Sequence, residues 1–178
     1  MNNRLKRTII ELLIFIAAII LDRVTKIWAV NNLKDNVSIP IINGVLEFYY
    51  LPNGNTGAAF GMLKGHQSLF LIIALVVVVA IGYILVNMPF DKKYRFVSIF
   101  LLFIAAGGVG NMIDRFIQNY VVDFIYISCI NFPIFNVADI FVSVSTTLLI
   151  IIGLIKLKEE DFTIIENALK NPFCKHNK

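Results

Sequence analysis

From Ser68 to Met88 the sequence carries no charged side chain and is almost continuously apolar. A helix needs roughly 20 apolar residues to cross about 30 Å of hydrocarbon, so such a run reads as a bilayer span. Three further segments fit the same reading. The run from Thr8 to Leu21 is broken only by Glu11 and continues past Asp22-Arg23 to Val30, predicting a helix over 8–30. Phe96–Ile113 is uncharged, and a last apolar stretch runs from Asn136 to Leu157. With 58% hydrophobic and 16% charged residues, a chain of 178 residues has more apolar surface than a soluble domain of its size can hide. The expected class is an all-α membrane protein with four transmembrane helices in one integral domain, 1–160, followed by a cytoplasmic tail, 161–178. Within the tail, Phe162 to Leu169 could form a short surface helix.

Arg4, Lys6 and Arg7 ahead of an apolar run would suit a cleavable leader, but no small-residue cleavage site follows, so a retained helix is expected. The N-terminus, the 91–95 loop and the C-terminal flank and tail carry 3, 3 and 5 Lys/Arg, against 5 on the other side. The positive-inside rule then places both termini in the cytoplasm. The net charge of +4 is what such flanks produce and gives no reason to expect nucleic-acid binding. Cys129 and Cys174 fall on opposite sides of the membrane in this topology, so a disulfide is not expected. His66 and His176 are solitary, and no zinc-type ligand spacing is present.

Between the first two spans the chain changes character. Val37, Ile39, Ile41 and Val45 to Tyr50 are strand-type residues, and Asn43-Gly44 is a hairpin turn signal. A small extracytoplasmic β-structured cradle is expected there. Asn55-Thr56-Gly57-Ala58-Ala59-Phe60-Gly61 is too glycine-rich for a strand interior.

Two aspartates stand out in this apolar setting. Asp123 lies in Val121-Val122-Asp123-Phe124, and Asp139 opens the last span, sixteen residues later. An uncharged apolar loop separates them, and Pro133 breaks helix within it, so the chain can turn back and bring the carboxylates together. At 1.5 Å per residue, Asp22 lies about 20 Å from the cytoplasmic start of the first span, Arg115 about 28 Å along the third, and Asp139 about 25 Å from the inner end of the fourth. All three reach the outer edge of the hydrocarbon. Ionisable groups at such depth are costly and mark pairing or function. For Asp22 with Lys26, and Asp114 with Arg115, ion pairs that tie helix ends together are a sufficient account. No basic residue lies between Arg115 and Lys156, which leaves Asp123 and Asp139 in need of another. Two carboxylates sharing a low-dielectric site hold one proton between them. The ionised member can then activate water, and the protonated one can polarise a carbonyl and protonate a leaving amine.

Several motifs in order resemble the lipoprotein signal peptidases, the signal peptidase II family of bacterial aspartic proteases. They are Asp22-Arg23-Val24-Thr25-Lys26, Asn55 to Phe60, Gly107-Gly108-Val109-Gly110-Asn111-Met112-Ile113-Asp114-Arg115, Val121 to Phe124, and Phe132 to Asp139. The resemblance implies Asp123 and Asp139 as the catalytic pair. It implies Asn55, Gly107, Asn111, Arg115, Asn136 and Ala138 as residues that bind substrate or support the dyad, with Asp22 and Lys26 as a supporting pair on the first helix. It further implies cleavage of prolipoproteins before a diacylglyceryl-modified cysteine, no cofactor or metal, and a monomer among membrane lipids. The expected location is the bacterial cytoplasmic membrane, with the active site at its extracytoplasmic edge. Two positions depart from the family pattern: Arg23, where glutamine is usual, and Asn119, where glycine is common. Asparagine tolerates left-handed backbone, so the turn at Asn119 is expected to survive.

A proton-coupled transporter would also carry membrane acids, but near the midplane of an inverted repeat, which this sequence does not show. A metalloprotease built on Asp and His66 would need a ligand set such as HExxH, which the sequence does not contain.

Overall fold

A computed structural model describes residues 3–34, 38–57 and 67–170. Val37, the Ala58-Ala59-Phe60-Gly61 part of the glycine-rich motif, His66, Cys174 and His176 lie outside the described residues. Long helices dominate: α1 (Asn3–Leu33), α2 (Gln67–Asn87), α3 (Arg95–Gln118) and α4 (Val137–Ile155), with a shorter α5 (Glu159–Lys170). Three strands, β1 (Ile39–Ile42), β2 (Leu46–Phe48) and β3 (Ile125–Ile127), form one antiparallel sheet in the order β1-β2-β3.

Among the described residues three helices are long and apolar enough to cross a membrane: α2, the Lys92–Gln118 segment that contains α3, and α4. Among the residues of α2 only Ile81 is buried, and Ile72, Ile73, Val76, Val77, Val79 and Val86 face outward, as they would toward lipid. At 31 residues α1 is longer than any of these, but Arg4, Lys6, Arg7, Glu11, Asp22, Arg23 and Lys26 interrupt its apolar character. Its buried positions, Ala18, Asp22, Lys26, Ala29 and Leu33, repeat every three or four residues and mark one inward stripe. That stripe packs on α3, which is the central helix and also contacts α2 and α4.

The third helix runs to Gln118, past the uncharged run that ends at Ile113 and through the charged pair Asp114-Arg115. Asp114 does not end the helix because it is fully buried and paired, as described below. The helix ends instead at Asn119, in the left-handed conformation with φ 61°, whose N–H donates to the Arg115 carbonyl. The turn at this departure from the family pattern is therefore made as expected.

The Asn43-Gly44 signal is realised as the β1–β2 turn, with Gly44 at φ +70° and Val45 N–H donating to the Ile42 carbonyl over 2.9 Å. The loop after Phe124 is not merely a loop. Ile125, Tyr126 and Ile127 form β3, paired with Phe48, Glu47 and Leu46. Trp28 of α1 stacks edge-on against Phe48 and Phe124, at 5.2 and 6.4 Å, so the sheet is seated on the C-terminal end of the first helix. At the opposite end, α5 folds beneath α2 and α3. Tyr94 donates its hydroxyl to Asp161, Lys93 Nζ pairs with the same carboxylate, and the Tyr83 hydroxyl reaches the Leu169 carbonyl over 2.6 Å.

Candidate active site

Asp123 is held on a short extended segment by backbone bonds on both sides. Asn55 and Val121 exchange N–H and carbonyl bonds at 2.8 and 2.9 Å, and Leu51 N–H donates to the Asp123 carbonyl. On the other side, Phe135 pairs with Ile125, so the chain does return after Pro133, as its position predicted. That return leads into the start of α4, where Asn136 caps the helix. The Asn136 side chain accepts from Asp139 N–H, and Asp139 Oδ2 accepts from Asn136 N–H, a reciprocal capping box. Asp139 therefore does double service, as a first-turn anion at a helix N-terminus and as a wall of the cavity.

Both carboxylates line one cavity of about 1080 Å³ together with Asn55, Asn111 and Arg115. Each of their four oxygens receives an N–H. Asn136 Nδ2 donates to Asp123 Oδ1 over 2.6 Å, and Asn55 Nδ2 donates to Asp123 Oδ2 over 2.8 Å. Asn111 Nδ2 donates to Asp139 Oδ1 over 2.9 Å, and the backbone of Asn136 serves Oδ2. The orientation of every amide is fixed by what meets its oxygen. Asn55 Oδ1 accepts from Gly57 N–H, Asn136 Oδ1 from Asp139 N–H, and Asn111 Oδ1 from the Lys26 ammonium and from Asn136 Nδ2. A flipped amide would turn a donor toward a donor, so each NH₂ must face its carboxylate.

Electrostatics separate this site from its surroundings. Burial first, and then the Asp139 carboxylate, push the Asp123 carboxyl up to about 7, against the opposing pull of Asn55, Asn136 and Lys26. Asp123 is 1% exposed. Among the described residues neither Asp123 nor Asp139 makes an ion pair. The cations near them are engaged elsewhere. Lys26 Nζ sits 2.9 Å from Asp22 Oδ2 and 3.0 Å from Asp114 Oδ2, all three side chains essentially inaccessible to solvent. Arg23 pairs with the other Asp114 oxygen. The buried cluster thus contains two acids and two bases, which is how such charges are tolerated away from water.

The expected pair of Asp22 with Lys26 is present, but Asp114 pairs with Lys26 and Arg23 rather than with Arg115. Successive helix positions point about 100° apart, so the two neighbours face different partners. Arg115 instead donates Nη2 to the Gly57 carbonyl over 3.1 Å and lays its guanidinium over Phe70, 5.0 Å from the ring centroid.

Gly107, Ala138 and Asn136 stand behind the cavity rather than lining it. A Cβ on Gly107 would meet the Ala138 carbonyl oxygen at 2.5 Å, so this glycine sets how closely α3 approaches α4. Ala138 N–H donates to Asp22 Oδ1 over 3.0 Å, which ties α1 to the first turn of α4. Asp114 matters more to the site than its sequence position suggested. Its Oδ2 accepts from Val122 N–H over 3.1 Å, anchoring the residue before Asp123. The Gly107–Arg115 motif contains Asp114, but nothing in the sequence says which chain segment it reaches. Tyr49, Tyr126 and Phe132 extend the cavity along the sheet, and Ile140, Ser143 and Val144 extend it along α4.

The sequence profile of the family described as signal peptidase (SPase) II matches residues 14–155. A lipoprotein signal peptidase of Clostridium novyi (strain NT) is 41% identical over 144 residues, covering 79% of this chain and 95% of that protein. The lipoprotein signal peptidase of Streptococcus pyogenes serotype M5 (strain Manfredo) is 36% identical over 157 residues, covering 88% and 97%. Two solved structures of bacterial membrane enzymes superpose with TM-scores of 0.66 and 0.68 at 31% and 33% identity. They cover 94% and 83% of this chain and 92% and 94% of theirs. With the family profile matched over residues 14–155 and relatives 36–41% identical over most of their length, the chain belongs to the signal peptidase II family of aspartic peptidases.

Proposed function

We propose that this chain removes the signal peptide from diacylglyceryl-modified prolipoproteins, cutting before the lipidated cysteine, with Asp123 and Asp139 as the catalytic dyad. One observation carries the reading: a buried and a half-buried carboxylate share a cavity in which every carboxylate oxygen has a fixed N–H donor and, among the described residues, neither has a cation as ion-pair partner. A structural ion pair would look different, and the Asp22–Lys26–Asp114–Arg23 cluster beside it is that contrast.

The carboxyl of Asp123, raised to about 7, can retain a proton at neutral pH while its partner is ionised. Titration belongs to the pair as a whole. The ionised carboxylate takes a proton from water as the water attacks the scissile carbonyl carbon, and the protonated one donates toward the carbonyl oxygen. Collapse of the tetrahedral intermediate then breaks the C–N bond, with a proton delivered to the leaving amine. Asn55, Asn111 and Asn136 hold both carboxylates in place through the cycle. Arg115, fixed by Gly57 and Phe70 at the cavity wall, offers hydrogen bonds to a peptide in extended form. The apolar continuation along Ile140 and Val144 suits the lipid attached to the substrate cysteine.

In the membrane, α1 is read as a fourth span beside the three apolar helices. Its charged residues past Leu21 are turned inward onto α3 or lie at its outer end. The basic flanks then put both termini in the cytoplasm of a bacterial cell, the cavity and the sheet at the extracytoplasmic edge of the cytoplasmic membrane, and residues 161–178 on the inner side. The working unit is read as a monomer, since both carboxylates and every donor to them come from one chain.

The test is cleavage of a purified diacylglyceryl-modified prolipoprotein by wild type, Asp123→Asn and Asp139→Asn, each with and without EDTA. Cleavage before the lipidated cysteine by wild type in EDTA, and none by either folded variant, is the expected result. Near-normal turnover by either variant would remove that residue from the dyad, and chelator-sensitive activity would replace the mechanism.

A further inference from the structure

Both aspartates of the cavity are held by groups that lead back to one carboxylate outside it. Asp114 Oδ2 accepts from Val122 N–H over 3.1 Å, which fixes the residue before Asp123. The same oxygen lies 3.0 Å from Lys26 Nζ, and that ammonium donates to Asn111 Oδ1, whose NH₂ serves Asp139. Asp114 is thus a branch point. It stands one residue away from Asp123 and two side chains away from Asp139.

Charge decides how firmly that branch point is held. Asp22 and Asp114 bring two negative charges into a place closed to water, and Lys26 and Arg23 bring two positive ones. The Lys26 nitrogen already has three oxygens within 3.0 Å, as many as it has hydrogens, so it can serve no further acceptor. Asp114 Oδ1 depends on Arg23, its partner among the described residues. Without the guanidinium, one ammonium would stand between two buried carboxylates. The smallest movement that relieves the imbalance brings Lys26 toward Asp114 and away from Asn111, and the Asn111 amide then loses the contact that turns its NH₂ to Asp139. Arg23 also differs from the other three residues in its setting. Its side chain is 26% exposed against 1% or less for theirs, so replacing it opens no buried void. It is not among the residues that line the cavity, so it stands apart from any substrate held there.

We propose that Arg23 is a positioning residue for both aspartates: its guanidinium pairs with Asp114, and so keeps Val122 in place before Asp123 and Lys26 in place on Asn111. The arrangement needs the positive charge and not only the hydrogen bond. A neutral donor would satisfy Asp114 Oδ1 but leave the cluster with one uncompensated negative charge. The proposal rests on the reading of Asp123 and Asp139 as the dyad, and it places the effect of Arg23 in the rate of the chemical step rather than in binding.

The test compares the full chain with Arg23→Lys, Arg23→Gln and Arg7→Gln in detergent. Arg7 is the control, an ion-paired arginine on the same helix that is bonded to Glu11 and Ser98, away from the cluster. Cleavage of a diacylglyceryl-modified prolipoprotein gives kcat and KM. NMR signals of the Val122 backbone amide and the Asn111 side-chain amide read the two connections with no substrate present. In Arg23→Gln, kcat should fall about tenfold with KM within about twofold of wild type, and both amide signals should move. Arg23→Lys keeps the charge and should return kcat and both signals to near the wild-type values, and Arg7→Gln should change neither. Unmoved amide signals or a wild-type kcat in Arg23→Gln would overturn the proposal. So would an equal loss of kcat in Arg23→Lys or in Arg7→Gln. Undiminished cleavage by Asp123→Asn or Asp139→Asn is a separate result that brings down the dyad reading, and the amide signals then still decide whether Arg23 holds Val122 and Asn111 in place.

Discussion

Lys26 donates from Nζ to Asn111 Oδ1 over 2.8 Å, and that bond decides which way the Asn111 amide faces. An ammonium has no acceptor, so the amide oxygen must point at it and the NH₂ must point at Asp139. A residue on the first helix thereby sets the hydrogen bonding of a carboxylate on the fourth, through a side chain on the third. Lys26→Met keeps the length of the stem but removes the charge. It leaves Asp22 without its cation and Asp114 with Arg23 alone, a loss that costs on the order of 3–5 kcal/mol when the site is buried. The expected outcome is a protein with a sharply lowered unfolding temperature and no cleavage. Thermal unfolding in detergent, measured beside turnover, checks both. Unchanged stability would show that the cluster is not the anchor the geometry describes.

The Asp123 carboxyl gives a signed pH prediction. Its folded value of about 7 lies above the ordinary 3.8, so the folded state holds this proton more tightly than the unfolded chain. The resulting contribution to stability is complete below about 3.8 and is lost as pH rises through about 7. Wild type should therefore lose stability between roughly pH 4 and pH 8 relative to Asp123→Asn, whose side chain does not titrate. Unfolding temperatures of the two proteins across that range would show converging or parallel lines. Parallel lines would mean that Asp123 does not carry a raised carboxyl in the folded protein.

Gly107 predicts a steric effect. A methyl group there would stand 2.5 Å from the Ala138 carbonyl oxygen and 2.8 Å from Val142 Cγ2, distances that real side chains do not adopt. Backbone cannot retreat cheaply, so Gly107→Ala must push α3 away from the first turn of α4, where Ala138 and Asp139 sit. The expected cost is about 1–3 kcal/mol, typical of overpacking, although alanine is the better helix former. Activity should fall more than stability, because the shift separates Asn111 from Asp139. Gly108→Ala is the comparison, since its nearest neighbour is a side-chain methyl of Val78 at 3.3 Å.

Helix positions were legible because lipid-facing surfaces must be apolar on every side, which leaves long uncharged runs such as 68–88. The hairpin was legible from Asn43-Gly44 and from alternating β-branched residues. Rise along the helices puts Asp22, Arg115 and Asp139 at one level from sequence spacing alone. Rotation about the helix axis is what the sequence could not give. Whether Asp114 meets Arg115, Arg23 or Lys26 depends on which neighbour each face of α3 receives, a property of the packed bundle. The same limit hid β3, since Ile125-Tyr126-Ile127 is apolar throughout and its register comes from Leu46, Glu47 and Phe48, far away in sequence. It also hid the end of α3, where a buried, fully paired Asp114 reads in sequence as a stop.

At the far end of the molecule, Asp161 predicts a pH effect of opposite sign. The N–H of Lys158, the Lys93 ammonium and the Tyr94 hydroxyl all donate to this carboxylate and hold it down at about 2. Its contribution is present above about 3.8 and is lost as pH falls through about 2. Asp161→Asn removes the anion that keeps α5 against Lys93 and Tyr94, while the two catalytic candidates and their asparagines lie at the other end of the bundle. The variant should therefore cleave substrate at the wild-type rate but expose the α4–α5 junction near Lys156 and Lys158 to trypsin. Limited proteolysis at neutral pH reads the junction directly. If the junction stays protected while the Lys93 pair is gone, then the apolar contacts of Leu157 and Ile165 with the Met88–Tyr94–Val97 cluster hold α5 by themselves.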